Sequence, residues 1–579
     1  MSGATPATIP LVLASAHGLG EAAEKLGVIA VALLAALAVL GGPEAPGQVA
    51  SIGPLRIDRR GRAVAMAAAL VLTPVLLLAD IWHTSQLTHL RDHPGEAVAA
   101  VVLGLAVVLT LALLIHRRPR ALPLLAIFAL PFRLPIATGG GTSNLLIPLY
   151  LVIGAGVLAH ALPRLRPGAR GEGAGGAGTG AVDGDERSRG EASSQPAFGS
   201  ELGAQAAPWR GLLTPRGAEW LLVASLVLYG LQASYSGDFS KALENMTFFY
   251  VPFALLFALL REVRWTRELL VRCLAVAVAL AVVFAGIGFV EYARKQLFLN
   301  PKVVAANEYS NYFRVNSLFF DPSIYGRFLA LVMTAVMAGV LWTARRRSVL
   351  LGGAVLLWLL GGLITSFSQS SIAALLLGLA VLAAYRWDVR GTLYVAGALL
   401  AVALVVVLVA PPSLHLGLSG AGSSANSATS GRAKLVEGGL GLFGDRPLQG
   451  FGPGSFAAEY RAHEQGAESA TATSASHTIP ITVAAEQGIV GFVLYALLLV
   501  SSFAVLFGGA WRGPPSPLRP ALAACWAALV LHTFTYADFL EDPETWVLLA
   551  IGLALACAPP AAAEIGRPER RAAPLTLRS

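Results

Sequence analysis

Three basic side chains in this 579-residue sequence could act together on a charged substrate. Arg314 lies in a polar stretch at about 290–323, whereas Arg432 and His477 lie in a second one at about 411–478. A guanidinium group binds phosphate or carboxylate through paired hydrogen bonds, and histidine can act as a general base near neutral pH. The pattern indicates an anion site beside a base, although solvated loops with scattered arginines and an interfacial histidine would give the same pattern.

Two further arginines lie at or inside apolar segments. Asp321-Pro322 is a typical helix start, because aspartate caps a helix and proline fits its first turn. Arg327 then lies about one turn inside that helix. An arginine there either faces a polar cavity or a partner, or it extends to the lipid headgroups. Arg133, which precedes three consecutive glycines, is a second candidate for substrate binding.

A glycine-rich stretch follows a segment that is predicted to be an amphipathic helix, Ala433 to Phe443. The stretch, Pro447 to Phe456, contains three glycines and two prolines, which favour a tight system of turns. In such turns Gly452 and Gly454 could leave backbone N–H groups directed at an anion. A simple loop corner would have the same composition.

Membrane-spanning helices must position these residues. Hydrophobic residues make up 55% of the chain and charged residues 13%, which is about half of the charged share in soluble proteins. This composition predicts an all-α, polytopic helical membrane protein and excludes a soluble enzyme, a nucleic-acid-binding protein and a disulfide-rich secreted protein. The net charge of +8 fits basic cytoplasmic loops, and the three cysteines lie within apolar segments with no metal-binding spacing.

The apolar segments predict about 14–15 transmembrane helices. The weakest segment, 121–137, contains three prolines and Arg133, so it is expected to be broken or re-entrant. The other segments are 26–42, 63–81, 97–115, 144–162, 218–234, 246–260, 269–289, 324–342, 349–366, 370–385, 392–410, 479–507, 521–537 and 545–560.

Arginines occupy every second loop between these segments. The positive-inside rule places those loops and the C-terminus in the cytoplasm, and it places the N-terminus outside. The stretches 290–323 and 411–478 then become outer loops that carry cations against the rule. Both are longer than a helix connection requires. They therefore favour a functional site at the outer face of the cytoplasmic membrane.

The same patterns divide the chain into four parts. Residues 1–162 form an N-terminal transmembrane bundle. Residues 163–217, rich in glycine, alanine and serine, are predicted to be a disordered cytoplasmic linker. Residues 218–560 form a second transmembrane domain that carries both long outer loops, and 561–579 form a cytoplasmic tail.

Several motifs follow one another in a fixed order along the second domain. They are an arginine before a helix start (Arg314, Pro322), a serine-rich helix entry (Ser366 to Ser371), an arginine-led helix (Arg432), a Pro-Leu-x-Gly-x-Gly-Pro-Gly-x-Phe turn (Pro447 to Phe456), a histidine (His477) and Glu-x-Gly-Ile-x-Gly (Glu486 to Gly491). In this order they resemble the O-antigen ligase and polymerase family of bacterial membrane glycosyltransferases. The resemblance extends over roughly residues 220–540.

The resemblance implies a C-type glycosyltransferase-like fold that moves glycan from a polyprenyl-diphosphate-linked donor to a glycan, lipid or protein acceptor in the bilayer, without metal or cofactor. It implies that Arg314 and Arg432 bind the diphosphate, and that His477 activates the acceptor hydroxyl or orients the donor. Gln369 stands where the family has an arginine after serine. The further candidates for substrate binding are Arg327, Arg133, Gly452 and Gly454.

Two classes of function stay open at this point. The first is an enzyme, either a glycan ligase or a glycan polymerase. The second is a lipid-linked oligosaccharide flippase or another transporter. A transporter is expected to carry charges at mid-membrane along a path, whereas this chain concentrates its unexplained charges in two outer loops. That distribution favours the enzyme.

Overall fold

The computed structural model describes residues 9–40, 51–52, 55–56, 58–81, 91–138, 141–165, 208–298, 313–387, 390–391, 394, 397, 432–463, 478–508, 517–536 and 538–557. In this part of the chain, ten helices are long and apolar enough to cross a membrane. The prediction of a polytopic helical membrane protein is confirmed.

The helices are numbered here in chain order. Those before the linker are α1 (Ile9–Leu40), α2 (Arg59–Ile81), α3 (Pro94–Arg117), α4 (Ala121–Ala129) and α5 (Ile147–Leu165). Those after it are α6 (Pro215–Ala233), α7 (Phe239–Asn245), α8 (Val251–Arg261), α9 (Arg267–Arg294), α10 (Pro322–Leu341), α11 (Arg346–Thr365), α12 (Gln369–Arg386), α13 (Arg432–Asp445), α14 (Phe456–His463), α15 (Ile479–Gly508), α16 (Leu518–Thr533) and α17 (Pro543–Cys557). A π-helical turn joins α7 to α8.

Within the described residues, ten of the predicted 14–15 spans are found as long apolar helices. The apolar helices α16 and α17 are shorter than the ten candidate spans and match two more of the predicted segments. The segment predicted at 392–410 lies almost wholly outside the described residues. The one helix within segment 121–137 is the short α4, which ends just before Pro131 because proline is poorly tolerated inside a helix.

Two short β-hairpins add to the predicted all-α fold. In the larger one, β3 (Leu134–Thr138) pairs antiparallel with β4 (Gly141–Leu145), so that the predicted span is replaced by α4 and a hairpin. The smaller one pairs β1 (Ser51–Ile52) with β2 (Leu55–Arg56).

One hydrophobic core joins helices from both sides of the linker. Helix α1 packs against α6 and α8, and α4 packs against α9. Val28, Val31 and Ala35 of α1 are fully buried in this core together with Trp546 of α17. In a bilayer these side chains exchange lipid contacts for protein contacts, so close van der Waals packing stabilises the association of helices before and after the predicted linker.

Ion pairs also join α2, α5, α6 and α8 at the arginine-rich end of the bundle. Glu262, just after α8, pairs with Arg62 of α2 and lies 2.9 Å from His160 Nδ1 of α5. Arg261 pairs with the buried Glu219 of α6. The opposite end, which contains the last turns of α9, α11 and α16 and the first turns of α10, α12, α15 and α17, is called the site end below.

Candidate functional site

The glycine-rich turn, Pro447–Phe456, lies at the site end against a kink in α15. Its glycines Gly450, Gly452 and Gly454 have φ angles of 68°, 95° and 77°, in the left-handed region that favours glycine. Helix α15 is interrupted at Gly488, where φ is 64° and ψ is −165°. The turn and the kink therefore both depend on residues without a Cβ atom.

Backbone hydrogen bonds join the turn to the kink in both directions. The Gly452 N–H group donates to the Glu486 carbonyl over 2.8 Å. The Ile489 N–H group donates to the Pro447 carbonyl, also over 2.8 Å. The helical ladder of α15 is broken at Gly488, and the turn satisfies backbone groups that the break leaves without partners.

The carboxylate of Glu486 occupies the cradle of N–H groups that the turn forms. Its Oε1 atom accepts the Phe456 N–H group over 3.0 Å, and the Gly454 N–H group also donates to this side chain. The turn was predicted to direct backbone N–H groups at an anion, and in the structure these groups bond the side chain of Glu486. Substrate binding by Gly452 and Gly454 stays a prediction.

Side chains in the last turn of α6 and just after it bind the same turn. The Tyr235 hydroxyl donates to the Gln449 carbonyl over 2.8 Å, and Gln232 Nε2 donates to the same oxygen over 3.3 Å. Ser236 Oγ donates to the Pro453 carbonyl over 2.8 Å. Sequence reasoning missed these residues, because they lie more than two hundred positions before the turn.

Helix α13 confirms the predicted amphipathic helix before the turn. Leu435 and Leu442 are buried in a small core with Phe451 and Phe456 of the turn and α14. The helix begins at Arg432, but the Arg432 side chain lies outside the described residues.

His477 also lies outside the described residues, directly before Thr478 and the start of α15. The roles predicted for Arg432 and His477 therefore stay predictions.

Arg314 lies half-buried against the C-terminal end of α11. Its Nε atom donates to the Ser366 carbonyl over 3.2 Å, and the neighbouring Val315 N–H group donates to the Thr365 carbonyl over 3.2 Å. The last carbonyls of a helix carry partial negative charge and attract a cation. The serine-rich entry of α12 therefore begins directly beside the Arg314 guanidinium.

Arg327 is fully buried one turn inside α10 and pairs with carboxylates that precede and begin α17. Its Nη2 atom lies 2.7 Å from Asp542 Oδ2, and its Nε atom lies 3.2 Å from Glu544 Oε2. Of the two alternatives for this arginine, the structure shows the buried partner rather than extension to the headgroups. Asp321 caps α10 through the Ser323 N–H group over 2.6 Å, as predicted.

Arg133 lies near this ion-pair cluster, just before β3. Burial raises the pKa of Asp542, and the positive charges of Arg327 and Arg133 oppose that shift. Two of the arginines selected from the sequence thus act on one carboxylate. Binding of substrate by Arg133 and Arg327 stays a prediction.

A buried network of serines and one histidine links the end of α16 to the first turns of α12 and α10. His532 Nε2, at the end of α16, lies 3.2 Å from Ser371 Oγ and 3.3 Å from Ser370 Oγ. Ser371 Oγ donates to the Ser323 carbonyl over 3.1 Å, in the first turn of α10. Sequence reasoning did not select His532, although a histidine within an apolar segment is a usable signal.

A cavity of about 60 Å³ lies beside the kink of α15, and Glu486, Tyr495 and Glu541 are among its lining residues. Asn245 Nδ2 donates to Glu541 Oε1 over 3.0 Å. Burial and the neighbouring Asp538 raise the pKa of Glu541 to about 8, while Lys241 opposes the shift. Glu541 is therefore largely protonated at neutral pH.

This raised pKa predicts a pH-dependent stability. Below pH 4.5, the ordinary value, Glu541 is protonated in both the folded and the unfolded chain, and folding is not penalised. Between pH 4.5 and pH 8 the unfolded chain is ionised at this residue while the folded chain keeps the proton, so the stability falls across this window and the contribution of Glu541 is lost once the pH has passed 8. We expect the unfolding temperature of wild type minus that of Glu541→Gln to decrease by several degrees between pH 5 and pH 9. A difference that stays constant across that range would contradict the prediction.

Among the described residues, no group of three or more histidines, cysteines or acidic residues could hold a metal ion. The metal independence of the site stays a prediction.

Residues 354–496 match the protein family described as O-Antigen ligase. The match begins in α11 and includes the serine-rich entry of α12, the glycine-rich turn and the first half of α15. No curated protein matches the chain. Residues 354–496 of this multi-pass membrane protein are thus similar to the O-antigen ligase family, the family that the order of the motifs resembles.

Proposed function

We propose that this protein transfers or polymerises glycan from a polyprenyl-diphosphate-linked donor at the outer face of the cytoplasmic membrane, with its C-terminus in the cytoplasm. The family match indicates glycan transfer of the O-antigen ligase kind. The observation that supports the proposed donor is the contact of Arg314 with Ser366, because it places a guanidinium group directly on the matched domain at the site end.

In the proposed reaction, a bond forms between the acceptor oxygen and the anomeric carbon of the donor while the bond from that carbon to the diphosphate oxygen breaks. His477 takes the proton of the acceptor hydroxyl or orients the donor. Arg314 and Arg432 bind the polyprenyl diphosphate as it leaves with its negative charge, which guanidinium groups stabilise better than ammonium groups. The reaction needs no metal or cofactor, since the lipid carrier supplies the activated bond.

The test uses the purified protein in nanodiscs with polyprenyl-diphosphate-linked glycan from the native host. We expect wild type to form a ladder of repeat units, or to transfer glycan once an acceptor is added, as read by mass spectrometry. Arg432→Ala and His477→Ala are each expected to lower the rate by about a hundredfold or more. Arg461→Ala, which changes an exposed arginine of α14, is the matched control and is expected to keep the wild-type rate.

The outcomes separate the candidate functions. A ladder without added acceptor supports a polymerase, and transfer only to an added acceptor supports a ligase. Flux of the lipid across proteoliposomes without any transfer would overturn the proposal in favour of a flippase or another transporter.

A further inference from the structure

Glu291 lies in the last turn of α9 and is completely buried at the site end. Its Oε1 atom accepts the Phe298 N–H group over 3.0 Å, and its Oε2 atom accepts the Ser317 N–H group over 2.8 Å. Residues 299–312, between these two donors, lie outside the described residues. One carboxylate thus binds backbone on both sides of that segment.

The turn that Glu291 binds has a strained backbone. Ser317 has a φ angle of 52°, which is uncommon for a residue with a side chain. Ser317 Oγ donates to the Phe284 carbonyl over 2.9 Å, and Asn316 Nδ2 donates to the Phe319 carbonyl over 2.6 Å. Such a conformation persists only where surrounding contacts impose it, and the hydrogen bond to Glu291 is one of these contacts.

This turn also determines where Arg314 lies. Only the fully buried Val315 and Asn316 separate Arg314 from Ser317. The Val315 N–H group is bonded to α11, so the short segment is held at both of its ends. The direction of the Arg314 guanidinium therefore depends on the position of the turn, and the position of the turn depends on Glu291.

We infer that Glu291 is a positioning residue, which holds Arg314 in the place where it binds the diphosphate of the lipid-linked donor. This inference rests on the proposed function. The two oxygens of the Glu291 side chain accept the Phe298, Ser317 and Asn316 N–H groups, whereas a glutamine amide offers one oxygen and an NH₂ group that opposes any donor on its side. Glu291→Gln is therefore a small change that removes part of this set of hydrogen bonds.

The first readout is the binding of polyprenyl diphosphate without glycan to the full-length protein in nanodiscs. We expect Glu291→Gln to raise the Kd, and the donor KM of the transfer reaction, by about tenfold, because a hydrogen bond to a charged group is lost. We expect kcat to change much less. The matched control is Glu268→Gln in the first turn of the same helix, an exposed residue paired with Arg272, and it is expected to match wild type.

The second readout is the Kd of the double variant that combines Glu291→Gln with Arg314→Ala. A merely structural defect would raise this Kd beyond the effect of losing Arg314 alone. Once Arg314→Ala has removed the guanidinium, adding Glu291→Gln is expected to raise the Kd no further. Should Glu291→Gln fail to fold, Glu291→Asp gives the same readouts, since its shorter side chain cannot reach all three N–H groups.

The outcomes keep this inference apart from the proposed function. An unchanged Kd in Glu291→Gln, or additive losses in the double variant, would overturn the positioning role while transfer by wild type still supports the proposed function. A wild-type protein that neither binds polyprenyl diphosphate nor transfers glycan would overturn both.

Discussion

Gly488→Ala is expected to remove most of the transfer activity and to destabilise the fold by about 3 kcal/mol or more. At φ 64° and ψ −165° the backbone of Gly488 is in a region that residues with a Cβ atom scarcely adopt. An added Cβ would also lie 2.4 Å from the Leu448 carbonyl oxygen, which belongs to the glycine-rich turn. The turn would have to separate from α15, and Glu486 would lose its N–H donors.

Thermal unfolding in detergent and the transfer assay measure this effect. The matched control is Gly441→Ala in α13, where an added Cβ meets no atom within 4 Å. Because alanine favours a helix over glycine, this control is expected to be as stable as wild type or slightly more stable. Equal unfolding temperatures for Gly488→Ala and Gly441→Ala would show that the stability of the fold does not depend on the close approach of the glycine-rich turn to α15.

Arg327→Ala is expected to lower the stability by about 3–5 kcal/mol, because it leaves the paired carboxylates of Asp542 and Glu544 in a buried place without their cation. The exposed pair of Arg272 and Glu268 provides the control. Arg272→Ala is expected to change the stability by less than about 1 kcal/mol, since exposed ion pairs contribute little. Similar losses in Arg327→Ala and Arg272→Ala would contradict the account.

A compensated variant separates the structural role of Arg327 from substrate binding. Arg327→Met combined with Asp542→Asn and Glu544→Gln removes the cation and both buried charges, so we expect it to recover most of the lost stability. If transfer activity also returns, the role of Arg327 is to tie α10 to α17. A stable but inactive variant would favour the predicted binding of substrate.

The features that the sequence predicted well are local. Asp321 and Pro322 define a helix start through the chemistry of adjacent residues, and α10 begins there in the structure. The position of Arg327 one turn inside an apolar segment left two alternatives open, and the structure shows the buried one. The alternation of arginine-rich loops requires only the order of the chain, and the membrane sides that it implies stay a prediction.

The features that could not be predicted are long-range pairings. The partners of Arg327 lie just before and at the start of α17, and one partner of Glu291, Ser317, is 26 residues away. The glycine-rich turn was predicted to direct N–H groups at an anion, and in the structure they bond the Glu486 side chain, which nothing in the local pattern distinguishes from a bound phosphate. Sequence spacing therefore selected the turn, Arg314 and Arg327, while the choice among their possible partners needed the packed helices.

The shared core of α1, α6 and α8 also bears on how the chain is made. Helices α1 to α5 leave the ribosome before α6 and α8 exist, so the packing face of α1 first enters the bilayer against lipid. The small residues of that face, such as Ala32, Ala35 and Ala36, tolerate lipid and later allow close approach by the arriving helices. The packing of α1 against α6 and α8 therefore forms only after those later helices have entered the bilayer, which gives the chain an order of insertion and assembly.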